Sequence, residues 1–583
     1  MTTTQLYPQQ QTLRKRLPLV IVALLAVSAV LVFRLFSFQF PLDTEVQTYL
    51  NNLRDSGYAQ TLQLASARGS IYDRHGEAMA VNTLQYRVGV SPSLVSDARE
   101  TATRIATILN SSELELFDNF TSDAPWVLVS TNVSAADAGE LRALRLDEIT
   151  IEPVPRRSYP QGPVAAQVIG FVGGDLRGYY GVEGHYNGQL AGEVRTRRVS
   201  NIPFEVPIID YERSRGNDVL LTIDRDVQFL VESELITAID VYDSSSGTII
   251  VMNPRNGDIL AMASYPSFDP NTYYSVADER FLTNPAVGQQ FEPGSIFKVL
   301  TIAAGLETGS ITPDFTYNDQ GSLGGVCDGI RNWDGGARGV VDVTQILVQS
   351  LNVGTSTIAV NMGATAFYSM MDKFGIGRLT GIDLEGEQAG QMPTPGDSIW
   401  SEKNLCTNSF GQGVAVTPLQ MITGVSAIAN GGLMMQPRVV HQMLDEDQAI
   451  AARTANLGRP ISTETANQVT DMMVAVVRDG LDGAASVAGY TIAGKTGTAE
   501  IPTPIGYETG SSIATFVGFF PADDPQVAIL IKLDRPAEYW GSRTAAPTFQ
   551  RLAERLVILL EIPTDDVRFA LIEQGGSVKH IRR

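Results

Sequence analysis

Three short polar segments of the sequence carry side chains that could perform covalent chemistry. The first is an S-x-x-K segment, Ser295 to Lys298, which follows a Pro-Gly pair and opens an apolar run to Leu306. This pattern predicts a buried helix that begins at or near Ser295. Positions three apart share one helical face, so we expect the Lys298 amine to reach the Ser295 hydroxyl. Because an apolar setting lowers a lysine pKa, Lys298 is a candidate base beside a candidate nucleophile.

The S-x-x-K segment is weak evidence when it is taken alone. About one such pattern is expected by chance in a chain of 583 residues. A helix N-cap serine followed by a lysine that extends to solvent is the alternative interpretation. Ser295 is, however, the only serine in the sequence with a lysine three residues later.

The second segment, Gln349-Ser350-Leu351-Asn352, lies between helices predicted at Val343–Val348 and Val353–Met362. Ser350 offers a second hydroxyl for proton relay, and Asn352 offers an amide that could hold a substrate carbonyl. An ordinary N-cap and turn is the alternative.

The third segment is the sequence GKTGTA, which follows a strand predicted at Thr491–Ala493. Lys495 and the hydroxyls of Thr496 and Thr498 could hold a carboxylate, and Gly497 would allow a backbone or substrate to approach closely. The backbone N–H groups of Thr498 and Ser295 could form an oxyanion hole. We do not expect a phosphate-binding loop in this segment.

The elements around these segments indicate an α+β fold. One long helix is predicted at Val227–Val241. Strands are predicted at Val219–Ile223, Thr248–Met252, Ile259–Ala263, Ile513–Phe519 and Val527–Leu533. A turn sequence at 253–257 should join two of these strands in an antiparallel hairpin. Strands at both ends of the region, with helices between them, predict one antiparallel sheet completed by both chain ends.

The amino-terminal region predicts a membrane anchor. Leu17 to Phe33 carry no charge, and the apolar character continues to Phe40, which is long enough to span a bilayer core. Three basic residues at 14–16 precede the run and place the short amino terminus in the cytoplasm. A cleaved signal peptide is the alternative, but no clear small-x-small site follows. Residues 41–66 are predicted to form an amphipathic helix.

Composition excludes several classes of function. The formal net charge of −21 argues against a nucleic-acid partner, which requires a basic surface. The four histidines show no zinc-hydrolase spacing, and two cysteines cannot make a cysteine-based metal site, so no metal is expected.

The motifs S-x-x-K, S-x-N and K-T-G occur in this order at intervals of 55 and 145 residues. The sequence resembles class B, or monofunctional, penicillin-binding proteins over about residues 15–560. Further segments carry the resemblance: Arg68–Gly76, Arg157–Pro160, Gly181–Gly184, Leu221–Asp224 and Gly411–Gln420. The central Leu351 is Ser or Asp in many relatives, a departure of little consequence because its side chain is not expected to act directly.

The resemblance implies the roles of the site residues. Ser295 is the acylated nucleophile and Lys298 the base, while Ser350 and Asn352 handle protons and substrate. Lys495, Thr496 and Thr498 would bind the terminal carboxylate with Gly497 between them. No metal or organic cofactor is implied.

The resemblance also implies an architecture related to serine β-lactamases, with an antiparallel sheet flanked by helices. The expected organisation is a cytoplasmic terminus at 1–16, an anchor at 17–40, an elongated pedestal at 41–215, a transpeptidase domain at 216–562 and a tail at 563–583. The protein would be single-pass in the bacterial cell membrane, with an extracytoplasmic catalytic domain.

The implied activity is peptidoglycan D,D-transpeptidation of stem peptides with release of terminal D-Ala, inhibited by β-lactams. A D,D-carboxypeptidase, a β-lactamase or β-lactam sensor, and a cell-wall scaffold are the alternatives. Expected partners are donor and acceptor stem peptides, the membrane, a membrane glycosyltransferase and other division or elongation proteins. The motifs of this sequence resemble those of the cell-division enzymes more than those of the elongation enzymes. Cys327 and Cys406 could form a disulfide if the ectodomain is oxidising.

Overall fold

A computed structural model describes residues 8–39, 59–64, 67–192, 195–200, 215–445, 448–504 and 506–573. The chain divides into two compact units, one of Met1–Ser66 with Glu193–Arg213 and the other of Ala67–Gly192 with Ser214–Arg583.

The first unit contains one long helix, Pro8–Gln39, and a two-stranded antiparallel sheet. Within the helix, Pro18–Phe36 has a mean hydropathy of 2.8 over 19 residues and is long and apolar enough to cross a membrane. The predicted helix at 41–66 is wrong where it can be compared. Ala59–Leu64 is a strand paired with Arg195–Ser200, as its alternating polar and apolar residues favour. Residues 40–58 lie outside the described part of the chain.

The second unit is built around a five-stranded antiparallel sheet, here called the central sheet. Its strand order is Ile259–Tyr265, Ser246–Met252, Val527–Asp534, Gly506–Phe520 and Ala493–Thr503. The prediction of a sheet completed by both chain ends is therefore confirmed for five of the six predicted strands. The sixth, predicted at Val219–Ile223, is Asp218–Leu221 and lies in the second sheet described below. All residues of the middle strand are buried, so both faces of the sheet are covered. The helices that cover it include Arg225–Tyr242, Pro418–Ala429 and Ala545–Leu559.

One strand of the central sheet differs from its predicted bounds. The strand predicted at 491–493 begins at Ala493 and continues to Thr503, so the K-T-G segment lies inside the strand and not beyond its end. It extends because residues 493–500 pair in register with residues 512–519 of the neighbouring strand. The K-T-G strand is an edge of the sheet, which leaves one side of its backbone open.

A second sheet joins amino-terminal residues to the rest of the unit. Its strands, in spatial order, are Gln448–Ala451, Val440–Asp445, Asp218–Leu221, Ile71–Tyr72, Ala78–Val90 and Val127–Val133, with Ile149–Ser158 also paired to Ala78–Val90. A separate small core lies beside it, in which Ile105, Leu116 and Leu141 come from the helices Ala98–Leu109, Glu113–Phe120 and Ala135–Ala143.

Three amino-terminal motifs meet at a buried carboxylate, Glu183. Its Oε2 accepts from Arg68 Nε at 2.6 Å, and its Oε1 accepts from Arg157 Nε at 2.7 Å. The Glu183 side chain is fully buried, and Tyr159 lies against the same carboxylate. Segments far apart in sequence are therefore joined by one ion-pair network, the Glu183 network.

Helices and short strands complete the unit. The remaining helices are Ala166–Ile169, Gly181–His185, Asn187–Ala191, Pro285–Gly288, Lys298–Glu307, Val343–Val348, Asn352–Met362, Ala364–Lys373, Glu402–Asn408, Thr463–Gly480 and Asp565–Glu573. The remaining strands are Phe171–Val172, Gly178–Tyr179, Thr316–Asp319, Gly339–Asp342, Met434–Met435 and Asn456–Gly458.

Candidate active site

Ser295 lies in a tight 3-10 turn, Gly294–Phe297, that leads directly into helix Lys298–Glu307. Gly294 has a φ of +56°, and its N–H donates to the Gly411 carbonyl at 3.1 Å. A Cβ on Gly294 would lie 3.2 Å from the Thr498 carbonyl oxygen, so the turn packs closely on the K-T-G strand. Ser295 is the only residue of 291–300 that is not buried. The fold thus presents one hydroxyl from an otherwise buried segment.

Lys298 is completely buried and is held by the S-x-N segment. Its Nζ donates to the Ser350 carbonyl at 2.6 Å, to Asn352 Oδ1 at 2.7 Å and to Ser350 Oγ at 3.2 Å. Burial lowers the pKa of Lys298 well below its usual value, and the nearby Lys495 lowers it further. Within the described residues, no hydrogen bond joins Lys298 to Ser295, because the amine is engaged by these oxygens. The predicted approach of Lys298 to the Ser295 hydroxyl stays a prediction.

Ser350 occupies the turn between helices Val343–Val348 and Asn352–Met362 with a φ of +54°. A left-handed conformation is unfavourable for serine and needs support from its surroundings. That support comes from Leu351, which is completely buried and donates its N–H to the Ile346 carbonyl at 2.9 Å. Ser350 Oγ lies 3.2 Å from the Nζ atoms of both Lys298 and Lys495. The hydroxyl therefore links the two lysines.

Asn352 connects the site to the loop of residues 321–335, here called the tethered loop. Its Nδ2 donates to the Arg331 carbonyl at 3.0 Å, and Trp333 Nε1 donates to the Gln349 carbonyl at 3.2 Å. Cys327 in this loop forms a disulfide with Cys406, with a Cα–Cα distance of 5.8 Å. The predicted disulfide is confirmed, and it attaches the loop to helix Glu402–Asn408.

Lys495 is 1% exposed, and its Nζ donates to Ser350 Oγ at 3.2 Å and to the Thr496 carbonyl at 3.1 Å. Burial lowers its pKa to about 7. Thr496 and Thr498 are partly exposed on the same strand and line the cleft described below.

Gly497 lies where the strand meets the nucleophile turn. A Cβ on Gly497 would lie 2.3 Å from Thr515 Oγ1 and 3.1 Å from the Pro293 carbonyl oxygen. A larger residue would therefore require the Thr515 side chain or the nucleophile turn to shift.

The sequence spacing does not by itself exclude a phosphate-binding loop, because residues 489–496 fit the pattern G-x-x-x-x-G-K-T. The structure excludes it. That motif forms a loop between a strand and a helix, whereas Gly494 and Lys495 lie within an extended β-strand.

An open cleft of about 800 Å³ runs between the K-T-G strand and the S-x-N turn. Of the predicted residues, Ser295, Ser350, Asn352, Lys495, Thr496, Gly497 and Thr498 line it, while Lys298 lies behind them. Sequence reasoning missed several lining side chains, including Trp333, Arg338, Tyr539, Trp540 and Arg543. No motif marks them; the aromatic pair at 539–540 after a predicted strand was the only available signal. Within the described residues, no three His, Cys, Asp or Glu side chains are grouped to hold a metal.

Comparison with known families agrees with this arrangement. Residues 247–554 match the penicillin-binding protein transpeptidase domain, and residues 63–219 match the penicillin-binding protein dimerisation domain. The chain belongs to the penicillin-binding transpeptidase family. The two domains together are those of the class B enzymes.

Relatives of known name span nearly the whole chain. Stage V sporulation protein D of Bacillus subtilis is 32% identical, over 92% of this chain and 84% of its own length. Penicillin-binding protein PbpB of Mycolicibacterium smegmatis is 31% identical, over 93% of this chain and 90% of its own length. A crystal structure of penicillin binding protein 3 from Mycobacterium tuberculosis, complexed with aztreonam, is 29% identical with a TM-score of 0.67. It covers 86% of this chain and 97% of that one.

Proposed function

We propose that this chain is a peptidoglycan D,D-transpeptidase that forms an acyl-enzyme on Ser295. One observation carries the assignment of the nucleophile. Ser295 is the one partly exposed residue of a buried turn, and it lines the cleft with Ser350 and Lys495. Relatives named peptidoglycan D,D-transpeptidases, such as PbpC of Pseudomonas aeruginosa at 30% identity, support the reaction class.

Acylation begins when Ser295 Oγ attacks the carbonyl carbon of the penultimate D-Ala. Lys298 accepts the hydroxyl proton, since its neutral form is favoured by burial and retains two N–H donors for the S-x-N oxygens. The backbone N–H groups of Ser295 and Thr498 would bind the oxyanion. The position of Thr498 on an edge strand supports this role, because one side of that backbone is unpaired.

Collapse of the tetrahedral intermediate breaks the peptide bond and releases terminal D-Ala. Ser350 lies between the two lysines and would pass the proton from Lys298 to the leaving amine. Asn352 would hold a substrate carbonyl through its amide. Lys495, Thr496 and Thr498 would hold the terminal carboxylate, with Gly497 keeping the strand close to the nucleophile. In the second step the acceptor amine attacks the ester, and Ser295 regains its proton.

Labelling with penicillin tests the nucleophile. A labelled β-lactam should give one adduct, which peptide mapping places on Ser295, and Ser295→Ala should abolish it. Ser542→Ala is the matched control, because Ser542 lines the same cleft and should leave the labelling intact. An adduct on another serine, or labelling that persists in Ser295→Ala, would contradict the assignment.

Partition of the acyl-enzyme separates transpeptidation from D,D-carboxypeptidation. Water is far more concentrated than any amine, so transfer to an amine requires an acceptor held in position. We expect the ratio of amide product to free acid to rise with the concentration of a D-amino acid or stem-peptide acceptor. Free acid alone at every acceptor concentration, with rapid turnover, would assign a carboxypeptidase.

The helix Pro18–Phe36 supports attachment to a membrane. We propose a single pass through the bacterial cell membrane, with residues 1–16 in the cytoplasm and the catalytic unit outside, as the basic residues at 14–16 favour. The proposed domains are the anchor at 17–40, a pedestal at 41–215, the transpeptidase domain at 216–562 and a tail at 563–583. A membrane glycosyltransferase and other division or elongation proteins are the proposed partners, on the basis of family membership.

A further inference from the structure

The cleft contains charged side chains, and most of them already have partners in the protein. The paired groups are Arg338 with Asp334 and Gln349, Asp479 with Arg478, and Glu500 with Gln412. Arg543 differs from these groups. It lines the same cleft and is exposed, and within the described residues its guanidinium has neither a hydrogen-bond nor an ion-pair partner. A fixed positive charge therefore faces the cleft without an internal counterion.

The backbone that carries Arg543 is attached to the K-T-G strand. The N–H of Gly541 donates to Thr498 Oγ1 at 3.0 Å, and a Cβ on Gly541 would lie 2.2 Å from the Gly497 carbonyl oxygen. The Arg543 N–H donates to the Trp540 carbonyl at 2.9 Å and closes this turn. Arg543 thus comes two residues after a direct contact with Thr498, whose hydroxyl hydrogen is still free to bind a ligand.

The two cations beside Thr498 differ in chemistry. Lys495 is buried, and its pKa is lowered to about 7, so it is only partly protonated near neutral pH. Arginine keeps its charge at all such pH values and offers two parallel N–H donors to a carboxylate. A permanent cation that lines the same cleft would keep the site attractive to an anionic substrate when Lys495 is neutral.

We propose that Arg543 binds the terminal carboxylate of the donor peptide together with Thr498, as a substrate-binding residue of this cleft. The inference rests on the proposed transpeptidase function. It adds to that function a residue, Arg543, whose positive charge does not change with pH near neutrality. Arg543 therefore makes recognition of the donor carboxylate independent of the protonation state of Lys495.

The test compares two thioester donors that differ only in whether the leaving group ends in a carboxylate or a carboxamide. Arg543→Gln should lower kcat/KM for the carboxylate donor by about 10- to 100-fold, the range for loss of a charged hydrogen bond. It should change kcat/KM for the carboxamide donor by less than about twofold, and Arg543→Lys should restore part of the loss. Arg555→Gln removes the same charge from an exposed site that does not line the cleft, and it should behave as the wild type.

The pH profile gives a readout that a structural role would not change. Lys495 is protonated below a pKa of about 7 and neutral above it. In Arg543→Gln, KM for the carboxylate donor should therefore rise as pH increases through 7, whereas the wild type should show a flatter profile. The other titratable groups around Lys495 are Lys298, Asp479, Glu500 and Tyr539, all of which are retained in both proteins.

Three results would overturn the role of Arg543: equal losses for both donors, no loss for the carboxylate donor, or parallel pH profiles. Failure of the proposed function is a different result, since the unmodified protein would then not be acylated by any donor or by penicillin.

Discussion

Two buried lysines meet at one serine hydroxyl in this site. Ser350 Oγ lies 3.2 Å from both Nζ atoms, and burial lowers the pKa of both amines. A positive charge on Lys495 also disfavours the charged form of Lys298. Burial and the neighbouring Lys495 therefore favour a neutral amine at Lys298, which is the form that can act as the base.

Lys298→Arg tests this assignment. The guanidinium stays protonated, so the variant keeps the charge but loses the base, and penicillin acylation should fall by roughly 100-fold or more. Stopped-flow or gel-based acylation rates measure the effect, with circular dichroism to confirm folding. Lys373→Arg is the matched control at an exposed position and should acylate at the wild-type rate. A folded Lys298→Arg protein with near-native acylation would refute the role.

The nucleophile and its two lysines were predictable because short-range patterns specify them. A turn before an apolar run locates Ser295, and helical spacing places Lys298 one turn later. The acceptors of Lys298 were not predictable, since Ser350 and Asn352 approach it only through packing across more than 50 residues. Arg543 was missed for the same reason: its contact with the cleft depends on a turn fixed by Thr498.

At the scale of elements, the site is a contact between a turn and the edge strand of a sheet. The strand that begins at Ala493 was predicted to end before the K-T-G segment, because glycine and lysine are poor strand formers. Pairing with residues 512–519 keeps these residues extended in the structure. The glycine at 497 is required by this contact, since Thr515 Oγ1 and the Pro293 carbonyl lie where its side chain would be.

Gly497→Ala should therefore separate the strand from the nucleophile turn. Overpacking of this kind costs about 1–3 kcal/mol, so we expect a lower melting temperature and slower penicillin acylation. Adding Thr515→Ala removes the hydroxyl that would clash and should recover part of both losses. Gly139→Ala is the control, because a Cβ there meets nothing within 4 Å. If Gly497→Ala acylates normally, close packing of the strand is not needed for the chemistry.

The tethered loop is the second element that shapes the site. The Arg331 carbonyl of the loop accepts a hydrogen bond from Asn352, and the Trp333 indole donates one to the Gln349 carbonyl. The disulfide at Cys327 holds the loop at a further point. Replacing both cysteines with alanine should lower the free energy of unfolding by about 2–5 kcal/mol. It should also slow acylation, because Asn352 loses a firmly held partner. Thermal melts and acylation rates measure the two effects, and unchanged values for both would show that the loop holds its position without the bridge.

At the scale of the whole molecule, the Glu183 network links three segments that sequence motifs mark separately. The carboxylate is fully buried between Arg68 and Arg157, whose side chains are 8% and 4% exposed. Such a group is strongly destabilising to remove, because its partners are left as uncompensated buried charges.

Glu183→Gln should consequently lower the free energy of unfolding by about 3–5 kcal/mol. Glu152→Gln breaks an ion pair with Arg87 in which both side chains are 46% exposed, and it should cost less than about 1 kcal/mol. Chemical denaturation of the two variants gives the comparison. Equal costs would show that the network contributes no more than a surface pair.

The order of the central sheet has a consequence for how the protein is made. Ser246 pairs with Asp534, 288 residues later, and the K-T-G strand is joined to the first hairpin only through strands Gly506–Phe520 and Val527–Asp534. During synthesis, Ser295 and Lys298 leave the ribosome nearly 200 residues before the K-T-G strand begins and more than 200 residues before the two strands that join it to the rest of the sheet. Contacts of such long sequence separation form slowly. The growing chain therefore carries its nucleophile unassembled until residues 493–534 have been made, and reactivity at Ser295 appears only when these strands complete the sheet.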